Sequence, residues 1–187
     1  HLSIEPEELA VHLEEPYESR VLSEYCYPAS AGADWDPMMG GKIDTRRLTH
    51  PDQIEQELVE PFHVDYPILN TISGISRLPS TDLAVELMQA YNDVLIEKFL
   101  DPTDFHGCAL IATQDPEAAA EEIDRIGDED QIVGLFIYTT TPDTPIGDPS
   151  YDVMYEAAEN NDLAIAFHAG AATSFRYQFP IQNQGLE

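Results

Sequence analysis

Apolar residues recur along this chain with two different periods. Over residues 81–100, Leu83, Leu87, Tyr91, Val94, Leu95 and Phe99 return every three or four positions, which predicts an amphipathic helix. Elsewhere the apolar residues run together in short blocks: VDYPILN at 64–70, FHGCALIA at 105–112, IVGLFIY at 132–138 and LAIAFH at 163–168. Blocks of that length, apolar throughout, predict strands buried on both faces. Between them lie helical segments. PDQIEQELVE precedes the first block; QDPEAAAEEIDRI follows the second, with Asp115 able to cap and Pro116 to open a helix. Asp148 and Pro149 repeat that signal ahead of SYDVMYEAAENND.

Strands that alternate with helices pair in parallel, with both sheet faces covered, so the class is α/β. Two architectures compete, the open doubly wound sheet and the closed (β/α)8 TIM barrel. No glycine-rich phosphate fingerprint follows any of the strands, which favours the barrel. Four strands are visible in a single domain spanning 1–187, and a further strand ahead of His1 would make 163–168 the fifth. A barrel usually needs roughly 250 residues. The natural polypeptide is therefore expected to continue by several strand–helix units, with an intact mass above 20.9 kDa.

The charge balance changes the picture of the surface. Against 36 Asp and Glu stand 8 Lys and Arg, a formal net charge of -28. The acid is spread through the helical segments rather than gathered in a tail, as suits a solvated surface in a salt-rich cytoplasm, where ions screen the self-repulsion. A halophilic protein of this kind is expected to melt at a higher temperature in molar potassium chloride than in dilute buffer; a melting temperature that falls or stays flat contradicts this. Nucleic acid is excluded as a partner because no basic footprint exists. No run approaches the roughly 18 apolar residues of a membrane span. Two cysteines, Cys26 and Cys108, are too few for a disulfide framework, and Cys108 reads as a small buried hydrophobe.

Candidate chemistry gathers at one place. LAIAFHAG ends an apolar strand on His168, followed by the small residues Ala169 and Gly170. In a barrel the C-terminal ends of the strands carry the active site. Taken alone, a strand-end histidine is open between a structural hydrogen-bonder and a metal ligand. His106 stands near the start of its strand, the wrong end for catalysis, and reads as structural; His12, His50 and His63 read as solvated or capping.

The run FHGCALIATQDPEAAAEEIDRI, then IVGLFIY, then GDPSYDVMYEAAENNDLAIAFHAG resembles the central part of the metal-dependent amidohydrolase-related proteins. That family includes hydrolases and nonoxidative decarboxylases such as the aminocarboxymuconate-semialdehyde and resorcylate decarboxylases. The resemblance implies an amidohydrolase-type TIM barrel, of which about the first five strands are present, and it implies that His168, after the fifth strand, is a metal ligand. His1 resembles the second member of the ligand pair that follows the family's first strand. A later histidine and a catalytic aspartate would lie beyond Glu187.

The implied cofactor is a divalent metal, zinc first and manganese second. It would lower the pKa of bound water or polarise a substrate oxygen. The implied function is a metal-dependent hydrolase or nonoxidative decarboxylase acting on a small carboxylated molecule. The alternative is a catalytically inactive barrel scaffold, or a truncated fragment lacking the remaining ligands. Residues 25–48 correspond to an insertion that commonly covers the family's site, so Trp35 is a candidate for lining a substrate pocket. Arg77 is a candidate partner for a substrate carboxylate, and Tyr138, at a strand end, is a third substrate-binding candidate; each also has a plain structural reading. Association into a homo-oligomer is left open.

Overall fold

A computed structural model describes residues 2, 4–22, 49–71, 75–138 and 144–168. Two short helices come first, α1 (Pro6–Ala10) and α2 (Tyr17–Leu22). Helix α3 (Pro51–Ile54) runs through a widened turn, Glu55–Val59, into α4 (Glu60–Phe62). His50 occupies the position before the helix, and His63 ends it in a left-handed conformation with φ 53°. Strand β1 (Ile68–Asn70) leads by a 3-10 turn, Ile75–Arg77, to α5 (Thr81–Val94), which continues with widened turns over Leu95–Leu100. Then follow β2 (His106–Ile111), α6 (Pro116–Ile126), β3 (Ile132–Tyr138), a 3-10 turn at Pro149–Tyr151, α7 (Asp152–Asn160) and β4 (Ala164–His168).

All four strands are parallel and stand in chain order, β1-β2-β3-β4, so each helix crosses from one strand to its neighbour. That is the connectivity of half a TIM barrel. Leu2 extends the sheet on its other side: it bridges Thr71 in parallel, and its N–H donates to the Asn70 carbonyl at 2.8 Å. The cap expected at α6 is present, whereas Asp148 caps the 3-10 turn Pro149–Tyr151 and α7 starts behind it, after Tyr151, without a side-chain cap. Asp115 accepts from the Ala118 N–H at 3.1 Å, and Asp148 accepts from Ser150 at 3.0 Å, which holds its carboxyl below the usual range. The apolar stripe of α5 is wholly inside: Leu83, Leu87, Tyr91, Val94, Leu95 and Phe99 are all buried.

The first strand is shorter than the apolar block 64–70 suggests. Pro67 has no N–H to donate and contributes only its carbonyl, which accepts from His106 at 3.0 Å. Val64 and Tyr66 are exposed. At its other end β1 stops at Asn70, opposite Cys108, which leaves the next part of β2 without a β1 partner, and α5 fills the gap with side chains. Asn92 accepts from the Leu110 N–H at 2.8 Å and donates to the Leu110 carbonyl at 3.1 Å, while the Met88 sulfur accepts from the Ala112 N–H at 3.2 Å. Asn92 also donates to Glu122 of α6 at 2.7 Å; Glu122 in turn takes two hydrogen bonds from Arg125, which reaches Asp93 at 2.8 Å. The Glu122 hydrogen bonds hold the Arg125 guanidinium well above its ordinary range.

Two glycines identify the faces of the sheet. A Cβ on Gly107 would press at 3.1 Å on Leu95 and Leu100, so odd-numbered positions of β2 face the helices. Cys108 and Leu110 take the opposite, inner face, and register carries that face to Gly134, Phe136 and Tyr138, then to Ala164, Ala166 and His168. Gly134 is required there, because a Cβ would lie 2.7 Å from the Ala164 carbonyl oxygen. Among the described residues no helix is long and apolar enough to cross a membrane.

Candidate functional site

The inner face ends in a polar rim. His168 is the last residue of β4 and lies in register with Tyr138, the last residue of β3. Their rings meet edge-on with centroids 5.4 Å apart, and Phe136 lies 5.2 Å from the imidazole and 5.3 Å from Tyr138. Three aromatic rings thus support one another on adjacent strands, which restricts the rotation of the histidine. The sequence candidates His168 and Tyr138 are therefore brought together, on the face turned away from the helices.

The other strand ends add polar groups that were not read from the sequence. β1 ends in Asn70 and Thr71, and β2 leads into Thr113 and Gln114. Thr71 and Thr113 are buried, with 1% and 3% of their surface exposed. Asn70 Oδ1, Thr71 Oγ1, Thr113 Oγ1 and Gln114 Oε1 are all buried without a hydrogen-bond partner among the described residues. The Gln114 nitrogen is occupied: it donates to the carbonyls of Ile75 and Leu78 and so fastens the turn that contains Arg77 to the end of β2. The sequence did carry a signal for this rim, since each of these apolar blocks gives way abruptly to amide and hydroxyl side chains.

Of the remaining candidates, Arg77 contributes a described backbone in the 3-10 turn after β1. His1, Trp35 and the whole of the insertion at 25–48 lie outside the described residues, as do Cys26, Ala169 and Gly170. Cys108 is a free thiol on the inner face, and burial raises its pKa, so it remains protonated. His106 begins β2, at the opposite end of the sheet from His168, with its ring 6.3 Å from Tyr66.

A metal at this rim would need nitrogen or oxygen donors. The imidazole of His168 suits a divalent transition ion. Among the described residues no three His, Cys, Asp or Glu side chains converge. Any further His, Cys, Asp or Glu donors to a metal beside His168 would have to come from outside the described residues.

A family model described as Amidohydrolase matches residues 59–184. The chain belongs to this amidohydrolase family. A curated relative, the gamma-resorcylate decarboxylase of Rhodococcus jostii (strain RHA1), is 25% identical over 127 residues, 67% of this chain and 37% of that protein. Among solved structures, the 5-carboxyvanillate decarboxylase of Novosphingobium aromaticivorans, with bound manganese, superposes with a TM-score of 0.64 at 22% identity, covering 90% of this chain and 49% of that one. The dihydroxybenzoic acid decarboxylase of Polaromonas sp. JS666, with bound manganese and the inhibitor 2-nitroresorcinol, gives 0.60 at 22%, covering 82% and 48%. The amidohydrolase chain therefore spans about half the length of these structural relatives, and its parallel α/β sheet is the corresponding part of their barrel.

Proposed function

We propose that this amidohydrolase chain supplies the His168 side of a metal-dependent, nonoxidative decarboxylase that acts on a hydroxylated aromatic carboxylate. The observation that carries the reading is the position of His168, at the C-terminal tip of an inner-facing strand and clasped by the rings of Tyr138 and Phe136. The decarboxylases among its relatives support decarboxylation over hydrolysis.

In this reading His168 holds the metal through a neutral imidazole nitrogen, with His1 as a second ligand. The metal, when bound, supplies positive charge for a substrate carboxylate and its neighbouring oxygen. Manganese is preferred to the zinc expected from sequence, because two structural relatives carry it. Tyr138 and Phe136 keep the imidazole in one orientation and present an aromatic wall against which a substrate ring can lie. Arg77, in the turn that Gln114 fastens, is the proposed partner of the substrate carboxylate, and Trp35, in an active-site cover formed by 25–48, lines the pocket.

The test is direct. The protein as translated, loaded with manganese, is expected to release carbon dioxide from 2,6-dihydroxybenzoate, with activity lost on chelation and restored by manganese. Turnover of an amide or ester in preference to every hydroxybenzoate would replace the decarboxylase with a hydrolase.

A further inference from the structure

The fold leaves over a carbonyl oxygen on the inner face. Asn70 ends β1 opposite Cys108, so its side chain shares the face of Tyr138 and His168. Its Oδ1 is buried and has no hydrogen-bond donor among the described residues. Elsewhere in the same half-barrel a buried asparagine is used fully: Asn92 engages Leu110 and Glu122 with both ends of its amide. Native proteins rarely bury an acceptor without a donor, and when one occurs at the rim of a site it points to a ligand.

We propose that Asn70 Oδ1 accepts a hydrogen bond from a ring hydroxyl of the substrate, on the edge of the ring away from His168. This rests on the decarboxylase reading and narrows its substrate class. β1 and β4 stand three strand spacings apart, about 14 Å along the sheet. One aromatic ring between them can meet the His168 side with one edge and Asn70 with the other. A carbonyl oxygen accepts and cannot donate. The group that faces it is therefore a free hydroxyl, which a methoxyl cannot replace, and the substrates are dihydroxylated arene carboxylates.

Equilibrium binding to the manganese-loaded protein separates the outcomes without requiring turnover. Resorcinol is expected to bind about tenfold or more tightly than 3-methoxyphenol, since a site built around a hydroxyl discriminates strongly against an analogue that lacks it. Asn70→Leu should bring that ratio close to one while leaving the melting temperature unchanged or raised, because it removes a buried acceptor that has no donor. Asn70→Asp, which keeps an acceptor in place, should keep the preference, and Asn70→Ala gives the same readout as leucine should the larger side chain not fit. An unchanged ratio in both Asn70→Leu and Asn70→Ala, or no preference in the wild type, overturns the assignment while the decarboxylase reading stands. Binding of neither compound to the wild type overturns both.

Discussion

Replacing Asn92 with leucine is expected to lower the stability of the protein by about 3–5 kcal/mol, the range of a broken buried polar network. The side chain is fully buried and makes three hydrogen bonds: two to the Leu110 backbone and one to Glu122. Leucine has nearly the same shape, so the loss would come from the partners it strands rather than from a cavity. The Leu110 N–H and carbonyl would face the space beyond the end of β1 without partners, each at about 1–3 kcal/mol. Glu122 would keep only Arg125. Against a typical total of about 5–15 kcal/mol this is a large fraction. Chemical denaturation would show it as a lower midpoint at unchanged slope. A change below about 1 kcal/mol would mean that β1 or water can take over the role of Asn92.

Replacing His168 with alanine is expected to reduce decarboxylation by on the order of a thousandfold or more, because a metal that stabilises developing charge supplies several kcal/mol to the barrier. The fold should survive. His168 is the terminal residue of β4 and only partly buried, whereas the core is carried by α5 and by both faces of β2 and β3. Circular dichroism and a melting temperature within a few degrees of the wild type would separate this variant from the Asn92 one. A strongly lowered melting temperature would instead assign His168 to the packing of Phe136 and Tyr138.

Periodicity made most of this fold legible. The block 132–138 became β3 with the same ends, and the stripe on α5 became its buried face. What failed to show was anything that depends on how far neighbouring strands run. The block 64–70 looked like a strand of seven residues, but Pro67 confines β1 to Ile68–Asn70. The role of Asn92 is set at the other end of that strand: β1 stops at Asn70, opposite Cys108, so the Leu110 backbone two positions on has no β1 partner, and a polar residue within an apolar helical stripe could not be interpreted without the sheet beside it. The same holds for the candidate site. His168 and Tyr138 were readable as strand ends, but their contact follows from the β3–β4 register. Asn70 and Gln114 gave only the bare sign of amide residues closing apolar runs; their unsatisfied oxygens belong to the folded rim.

The central claim is that His168 holds a catalytic metal, and manganese content tests it most directly. After loading and exhaustive dialysis, elemental analysis of the protein as translated should find about one manganese per site in the wild type and a small fraction of that in a folded His168→Ala variant. Equal manganese in the two proteins would contradict the account and return His168 to a structural part in the rim.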